Sequence, residues 1–572
     1  MVDRSTTKSR RRTTSGLQPT GRTLCLDAFE VALNQASDGK PWYTSTLHLQ
    51  LVSLEFCAAC RRTPTLHVTV EHGTPTSLWS CPATHQTRSA KRSISRVPLV
   101  RARSVEWKLS SSTLRNVRGD TLSKVQRFTL GRDFNDGVGR VEWPKNLKWL
   151  RFGKCFNHTV ERLSLPVSLQ WLGFGENFQQ PISKVKWPTM LQDIVFFGDY
   201  EQDVKDVVWP TSLLTLSFST FERPLGTISW PTSLRRFLVD SLSNQPLDGI
   251  TWPESLEALV IFSGFNQPID KVSWPGRLKM MHLGYDFNQP LEGVALPRSL
   301  QRLTLGSGFH HPIDKVVWPE PLRQLHLLGN LELLQDETRW PASLVEMTLR
   351  GECNLPVENV AFPASLRKLA LGDKFNRPID RAAWPPSLLE LEFGDGFNHP
   401  IEGVTWPECL QKLSFQREFN QPIDKVVWPG SLLRLTFGQR FNQPIDDVSW
   451  PASLRHLAFG HDLPVYWGES MVKLSMKRFL GAGSDFNQPI GQVVWPPSLV
   501  KITFGECFDQ SIDDVSWPAS LRHLVFSRGF SFPSEGFEWP ASLQQVTVAC
   551  RPNDSLPSWS RVQVSRIWNR CW

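Results

Sequence analysis

The chain repeats one pattern of apolar and polar positions every 22 residues. If the Trp of a recurring Trp-Pro pair is position 0, the unit reads W-P-x-S-L-x-x-L-x-F-G-x-x-F-N-Q-P-I-x-x-V-x. Copies such as "FNQPIDKVVWPGSL" (419–432) and "FNQPIDDVSWPASL" (441–454) differ at only a few positions. Because the same positions stay apolar from copy to copy, the pattern predicts a core made of columns of equivalent side chains.

The apolar spacing inside one unit predicts a single short strand. Leu at position 7 and Phe at position 9 alternate with a Thr, Ser, Val or Ala that we expect to face solvent. Pro recurs at positions 1 and 16, which excludes long helices, and the period is too short for helical-hairpin repeats. We therefore predict a leucine-rich-repeat-like solenoid, a parallel β-sheet built from about 19–20 coils of 22 residues with little helix.

Two further positions indicate how each coil turns its corners. Gly at position 10 is predicted to supply a turn with unusual backbone angles directly after the strand. Asn at position 14 is predicted to be buried, where its side chain satisfies unpaired backbone groups and repeats as a ladder between coils. Both predictions give these columns a structural role.

One step in the array is too long. Trp450 and Trp495 are 45 residues apart, and "WGESMVKLSM" (467–476) between them matches the strand half of the unit with Gly468 in place of Pro. We interpret 461–485 as a degenerate copy with an insertion, in which Lys473 takes position 6. Insertions in solenoids project from a loop side, which is often the binding side, so a functional insertion stays open beside a merely tolerated copy.

The unit resembles the FNIP-repeat family, a leucine-rich-repeat-like family. The recurring Phe-Asn, Pro-Ile, Ser-Leu and Leu-x-Phe-Gly pairs carry the resemblance over about 121–549. Trp at position 0 departs from the aliphatic residue that is more usual in the family. The resemblance implies a solenoid used for protein interaction, sometimes attached to an F-box. The stretch "TLCLDAFEVALNQASDG" (23–39) lacks the leading Leu-Pro of a convincing F-box.

The net charge of +8 is confined to the N-terminal segment. Residues 1–104 contain 15 Lys and Arg against 6 Asp and Glu, whereas 105–572 are almost balanced. A neutral array argues against a long groove that follows nucleic-acid phosphates. We predict three parts: a basic, largely disordered segment at 1–104, the solenoid at 105–549, and a C-terminal cap at 550–572. The basic stretch 4–16 is also compatible with a nuclear localisation signal or an organellar transit segment.

A weak metal motif lies in the N-terminal segment. Cys57, Cys60, Cys81 and His85 have residue types and end spacings that could bind Zn²⁺. The segment lacks the Gly and aromatic residues that usually shape a zinc knuckle, so incidental cysteines are the preferred interpretation. We expect no metal and no cofactor.

Cysteine usage and the absence of known motifs limit the function class. The 10 Cys are sparse and irregularly placed, which indicates reduced thiols and a cytoplasmic or nuclear protein. No apolar run approaches the length of a membrane span, and no phosphate-binding, zinc-protease or nucleophile-elbow motif occurs. We expect no enzymatic activity and no small-molecule substrate.

The residue type at position 6, on the strand, changes from the early coils to the later ones, and this position is the candidate binding column. It carries two Trp at its early end and mostly cations or His later. We predict that a protein docks on this strand face, with aromatic contacts at the early end and charge steering along the later one. The candidate residues are Trp149, Trp171, Lys368, Lys412, Arg434, His456, Lys473, Lys501 and His523.

The sequence thus favours a non-enzymatic protein–protein interaction scaffold or adaptor. Two other functions stay open. The chain could be the substrate-recognition subunit of a ubiquitin ligase, through an F-box-like association with a Skp1-type adaptor. It could also associate with nucleic acid through 1–104, which would show a steep salt dependence. The sequence does not identify the partner.

Overall fold

The computed structural model describes residues 67–70, 104–107, 124–329, 339–351, 354, 356–460, 484–526, 530–531, 537–549 and 563–567. The described residues contain 22 β-strands and two single turns of 3-10 helix, at Leu225–Thr227 and Val357–Asn359. Among these residues, no helix has the length and apolarity needed to cross a bilayer.

The strands are short and follow one another along the chain. They are β1 His67–Val70, β2 Ser104–Trp107, β3 Arg127–Leu130, β4 Trp149–Arg151, β5 Trp171–Phe174, β6 Asp193–Asp199, β7 Thr215–Phe221, β8 Arg236–Leu242, β9 Ala258–Ser263, β10 Met280–Leu283, β11 Arg302–Leu305, β12 Gln324–Leu327, β13 Glu346–Leu349, β14 Lys368–Leu371, β15 Glu390–Glu392, β16 Lys412–Ser414, β17 Arg434–Phe437, β18 His456–Phe459, β19 Lys501–Thr503, β20 His523–Phe526, β21 Gln545–Ala549 and β22 Gln563–Ile567.

Each strand pairs in parallel with the next strand in the chain, from β1–β2 to β21–β22. Equivalent residues of neighbouring units are direct partners, as in Arg434 opposite His456. This pairing confirms the predicted leucine-rich-repeat-like parallel solenoid with one strand per coil. Strand β1 lies inside 1–104 and β22 inside 550–572, and the proposed domain boundaries stay predictions.

The core consists of the predicted columns. In the coil that starts at Trp428, the side chains of Leu432, Leu435, Phe437 and Phe441 have no exposed surface. Phe437 and Phe441 stack within the coil with ring centroids 4.2 Å apart, and Phe441 stacks on Phe419 of the preceding coil at 6.1 Å. A single coil could bury little of this surface, so the hydrophobic stabilisation comes from the stacking of coils.

The Asn column forms the predicted ladder, but at the surface. The Asn398 side-chain Oδ1 accepts the backbone N–H of Asn420 at 2.9 Å, and Asn420 and Asn442 repeat this contact. The side-chain amide of the Gln at position 15 donates hydrogen bonds to the Asn of the preceding coil, as that of Gln443 does to Asn420. Asn398 is exposed and Asn420 half-buried, so the prediction of buried Asn is wrong. The ladder stabilises a corner that solvent reaches.

The Ser column at position 3, for which no role was predicted, also joins the coils. Ser431 donates from its hydroxyl to the backbone carbonyl of Leu410 at 2.7 Å, and Ser453 does the same to Leu432. Each bond connects position 3 of one coil to position 4 of the preceding coil. The repeated Ser-Leu pair therefore supplies one core residue and one inter-coil hydrogen bond.

Gly at position 10 is required for a different reason from the one predicted. Among the described glycines at this position, only Gly460 has a positive φ, 105°. A Cβ on Gly438 would instead lie 1.6 Å from the backbone carbonyl oxygen of Gln416, and one on Gly394 would lie 2.1 Å from that of Gly372. The glycines let one coil approach the backbone of the coil before it.

The long step at 450–495 contains one coil and not two. Strand β18 pairs directly with β19, with His456 opposite Lys501. The backbone N–H of Asn487 donates to Asn442 Oδ1 at 2.9 Å, as in consecutive coils. No coil lies between β18 and β19, so the prediction that 467–476 is a coil of the stack is wrong.

The interruption falls at one corner of that coil. Gly460 takes position 10, Ser484 takes position 11, and Phe486 takes position 13, where it stacks on Phe441 with centroids 6.1 Å apart. The residues between Gly460 and Ser484, 461–483, are 23 in number, which is the excess of 45 over one period of 22. They form an insertion at the end of strand β18, and they lie outside the described residues.

We predict that Gly438→Ala destabilises the array, since the new methyl group must push two coils apart. Overpacking of this kind costs about 1–3 kcal/mol. The matched control is Gly430→Ala, because a Cβ there meets nothing within 4 Å. Thermal unfolding followed by circular dichroism should show a lower melting temperature for the first variant alone. Equal melting temperatures would contradict the close-approach explanation.

We also predict that deletion of 461–483 leaves a folded array, because Gly460 and Ser484 then become consecutive members of a regular unit. Deletion of 461–485 is the control, since it removes two further residues and moves Phe486 out of position 13. Circular dichroism and limited proteolysis should show native-like behaviour for the shorter deletion and loss of order near β18–β19 for the longer one. Equal loss of order after both deletions would refute the assignment of 461–483 as an insertion between Gly460 and Ser484.

Candidate functional site

The strand face is the surface formed by side chains at positions 6, 8 and 10, opposite the core residues at positions 7 and 9. The sheet brings the predicted position-6 residues into one column, since Trp149 is the partner of Trp171 and Lys412 the partner of Arg434. His456, Lys501 and His523 continue the column without a gap. All of these side chains are half-buried. Their shared column is confirmed, whereas their binding role stays a prediction.

Ion pairs neutralise the centre of this column. Glu390 lies between Lys368 and Lys412 and contacts their Nζ atoms at 3.4 and 3.1 Å. Earlier in the column, Gln324 accepts a bond from Arg302 and donates to Glu346. Such half-exposed pairs contribute little stability, but they reduce the charge available to a partner. The predicted charge steering from Lys368 onward stays a prediction, and the first part of that run is compensated by Glu390.

The later end of the column keeps its positive character. Arg434 forms no ion pair with any residue that the structure describes, and its column neighbours are Lys412 and His456. No Asp or Glu occurs at position 6 from Arg434 to His523 among the described strands. This end can attract an acidic surface, with an effect that salt would screen.

The early end of the column is an aromatic cluster. The rings of Trp149 and Trp171 stack with centroids 4.4 Å apart and planes 12° apart. Phe197, at position 10 two coils after Trp149, lies 6.2 Å from Trp171, and the Arg151 guanidinium lies 4.2 Å above the Phe197 ring. Aromatic residues and Arg are over-represented in protein interfaces, because they bury a large area while keeping polar contacts.

The backbone of Gly173 lies directly against the Trp171 and Phe197 rings of this cluster. A Cβ at Gly173 would lie 2.4 Å from the Trp171 ring and 2.8 Å from the Phe197 ring. Position 8 carries Val195 and Ser217 in the next two coils, so the backbone there accepts a side chain. The missing side chain of Gly173 thus lets both rings lie close to the sheet.

Position 8 contains a polar cluster that the sequence analysis missed. We expected this column to face solvent, but Glu392 is only 6% exposed. Its Oε1 accepts bonds from Gln416 at 2.8 Å and from Arg350, which reaches over Gly372 in the coil between, at 3.3 Å. Burial raises the pKa of Glu392 to about 6, and Arg350 opposes that shift. A usable signal was present, since Arg350 and Gln416 replace the usual Gly at position 10.

Two histidines of the same column are withdrawn from solvent, His282 buried and His326 half-buried. His282 is 5% exposed and packs against the Phe262 ring at 5.0 Å. His326 shares a hydrogen bond of 2.9 Å with the Thr348 hydroxyl. Burial lowers the pKa of His282 to about 4, with His326 adding to the effect, and burial also lowers the pKa of His326. The His282 ring is therefore neutral at physiological pH.

Several predicted site residues cannot be placed. Cys57, Cys60, Cys81, His85 and Lys473 lie outside the described residues. Within the described ranges, no group of three or more His, Cys, Asp or Glu side chains has the geometry to hold a metal ion.

Comparison with sequence families gives one match. The profile described as FNIP Repeat matches residues 265–308, 287–328, 354–396, 397–440, 419–462 and 486–529. One match ends at 462 and the next begins at 486, so the matches stop and resume on either side of the insertion. The comparison with curated protein sequences gives no significant match.

The chain is similar to several solved structures. CroV588, described as a novel circular LRR protein, is 30% identical over 82% of this chain and 72% of its own, with a TM-score of 0.58. An internalin, InlF, from Listeria monocytogenes is 15% identical over 57% of this chain and 90% of its own, with a TM-score of 0.37. The Toll–Spatzle complex from Drosophila is 14% identical over 87% and 63%, with a TM-score of 0.38. The last two are too dissimilar to support an argument.

We predict that His282 makes the array less stable in mild acid. Its pKa is about 4 in the folded state against about 6.5 in an unfolded chain, so the unfolded state takes up the proton first. The stability it contributes is complete above pH 6.5 and is lost as the pH falls toward 4, by on the order of 2 kcal/mol at pH 5.

His282→Gln should shrink the drop in melting temperature between pH 8 and pH 5. His399→Gln is the control, because Gln occupies position 15 in most other coils. The raised pKa of Glu392 acts in the opposite direction, since its burial costs stability as the pH rises, so it cannot mimic the effect. An unchanged pH dependence in the first variant would refute the prediction.

Proposed function

The chain belongs to the FNIP-repeat family, and from this premise we propose that it is a non-enzymatic scaffold that binds a protein partner on the strand face. Solenoids of this kind generally act by binding, because stacked coils provide a long, rigid surface. The proposal requires no cofactor, no small-molecule substrate and no catalytic step.

One observation carries the proposal: the core columns repeat while the strand face changes. Position 7 is Leu in most coils of the array, yet position 6 beside it changes from Trp to Asp, Thr, Arg, Met, Gln, Glu, Lys and His. The parallel ladder fixes the spacing of these side chains, so the face presents an ordered row of different chemical groups. Fixed geometry with variable side chains is what selective recognition requires.

The two ends of the face offer different contacts. The aromatic cluster at Trp149, Trp171 and Phe197 can bury apolar area, which usually dominates binding energy. The run from Arg434 to His523 lacks acidic neighbours in its column and can accelerate association with an acidic partner. The neutralised centre between Arg302 and Lys412 contributes shape more than charge.

We predict that reversing the later end of the column disrupts capture of partners by the full chain. The variant is Arg434→Glu with His456→Glu and Lys501→Glu, and the amount of each specific partner should fall about tenfold or more. The readout is quantitative mass spectrometry of proteins captured from cell extract.

The matched control reverses three exposed Lys at position 19, away from the strand face: Lys271, Lys315 and Lys425. Equal capture by the two triple variants would contradict the proposal. Capture of a Skp1-type adaptor would point to the ubiquitin-ligase alternative. Captured nucleic acid that dissociates steeply with salt would point to the basic N-terminal segment.

A further inference from the structure

The early end of the strand face contains a positive charge that the described fold does not use. Arg127, the position-6 residue of β3, is the ladder partner of Trp149 and is half-buried. Burial lowers the pKa of its guanidinium, and no carboxylate among the described residues pairs with it. A partly desolvated guanidinium without a counter-ion is unfavourable, so a carboxylate placed beside it would gain a charge-assisted pair.

Two carboxylates in the coils that follow are already engaged. Asp193 pairs with Arg236 at 3.6 Å, and Glu176 pairs with Lys154. The Arg151 guanidinium contacts the Phe197 ring. Lys148, next to Trp149 in the sequence, is exposed and adds a further positive charge. The local charge therefore favours an acidic ligand.

We propose that Arg127, Trp149, Trp171 and Phe197 form a docking site for an extended acidic peptide of a protein partner. The peptide places a carboxylate on the Arg127 guanidinium and an adjacent apolar or aromatic side chain against the Trp149–Trp171 stack. The inference rests on the proposed function and assigns a ligand chemistry to one end of the strand face.

Two features favour a peptide over single-stranded nucleic acid. The indoles of Trp149 and Trp171 already stack on each other at 4.4 Å, which leaves no gap for a base between them. The positive charge is also discontinuous, since ion pairs neutralise Arg236 and Lys368–Lys412 farther along the column. Nucleic-acid grooves follow the phosphate backbone with continuous positive charge and bind bases on separated rings.

The experiment selects a displayed library of random linear peptides on the immobilised full chain. We expect the retained peptides to carry Asp or Glu next to an apolar or aromatic residue. Their binding, measured by fluorescence anisotropy of the labelled peptides, should weaken about tenfold or more on Arg127→Gln, because a charge-assisted pair is lost. The double variant with Trp149→Ala and Trp171→Ala should weaken it similarly.

Gly173→Thr tests the geometry without removing any contacting group. A side chain at position 8 is ordinary in this fold, but here it must displace the Trp171 and Phe197 rings. We expect an unchanged circular dichroism spectrum with weaker peptide binding. Ala458→Thr, at position 8 near the other end of the face, is the control and should bind normally.

The outcomes separate this inference from the proposed function. Peptides that depend on Arg434 and Lys501 but not on Arg127 would overturn the inference and leave the proposed function standing. Retained peptides that are neutral or basic, or no enrichment at all, would also overturn the inference. Oligouridine that binds the full chain, and is lost in Arg127→Gln, would assign the site to nucleic acid instead.

Discussion

The stacking of one coil on the next is the constraint on which the rest of this structure depends. Parallel strands lie about 4.8 Å apart, so each side chain has its equivalents directly above and below it. A column must therefore contain side chains that pack against copies of themselves. Phe stacks on Phe of the next coil. The Asn side-chain oxygen accepts a hydrogen bond from the backbone N–H of the Asn in the next coil, and Gly leaves room for a backbone carbonyl of the preceding coil. The repeated unit reflects this requirement.

The same constraint explains where the array tolerates change. Contacts in a solenoid connect neighbouring coils, so residues that leave the stack at a corner disturb little else. The insertion after Gly460 leaves His456 opposite Lys501 and Phe486 on Phe441, as if the coil were continuous. The coil that is one residue short, between Thr215 and Arg236, likewise keeps its ladder pairing.

The proposed function falls where stacking makes weaker demands. Positions 6 and 8 lie opposite the core, and their side chains differ between coils, as does position 10 in the coils that replace its usual Gly. Some of that variation serves the fold itself, as in the Arg350–Glu392–Gln416 cluster and the Glu390 ion pairs. What remains for a partner is the aromatic, guanidinium-containing early end and the basic later end. The proposed scaffold thus binds through the ends of the face more than through its centre.

The sequence by itself determined the repeat, the single strand per coil, the parallel solenoid and the column to which the candidate residues belong. Period and apolar spacing are local properties of the chain, and stacking places residues that are one period apart next to each other. Only the tertiary structure decided which side chains in that column are available. Whether Lys412 is neutralised, Glu392 buried or Arg127 left without a carboxylate partner among the described residues depends on adjacent coils, about 22 or more positions away in the chain. The same holds for the 23-residue insertion, whose match to the unit was local. Direct pairing of the strands on either side excluded it from the stack, because hydrogen bonds between neighbouring strands, and not sequence similarity, define a coil of the array.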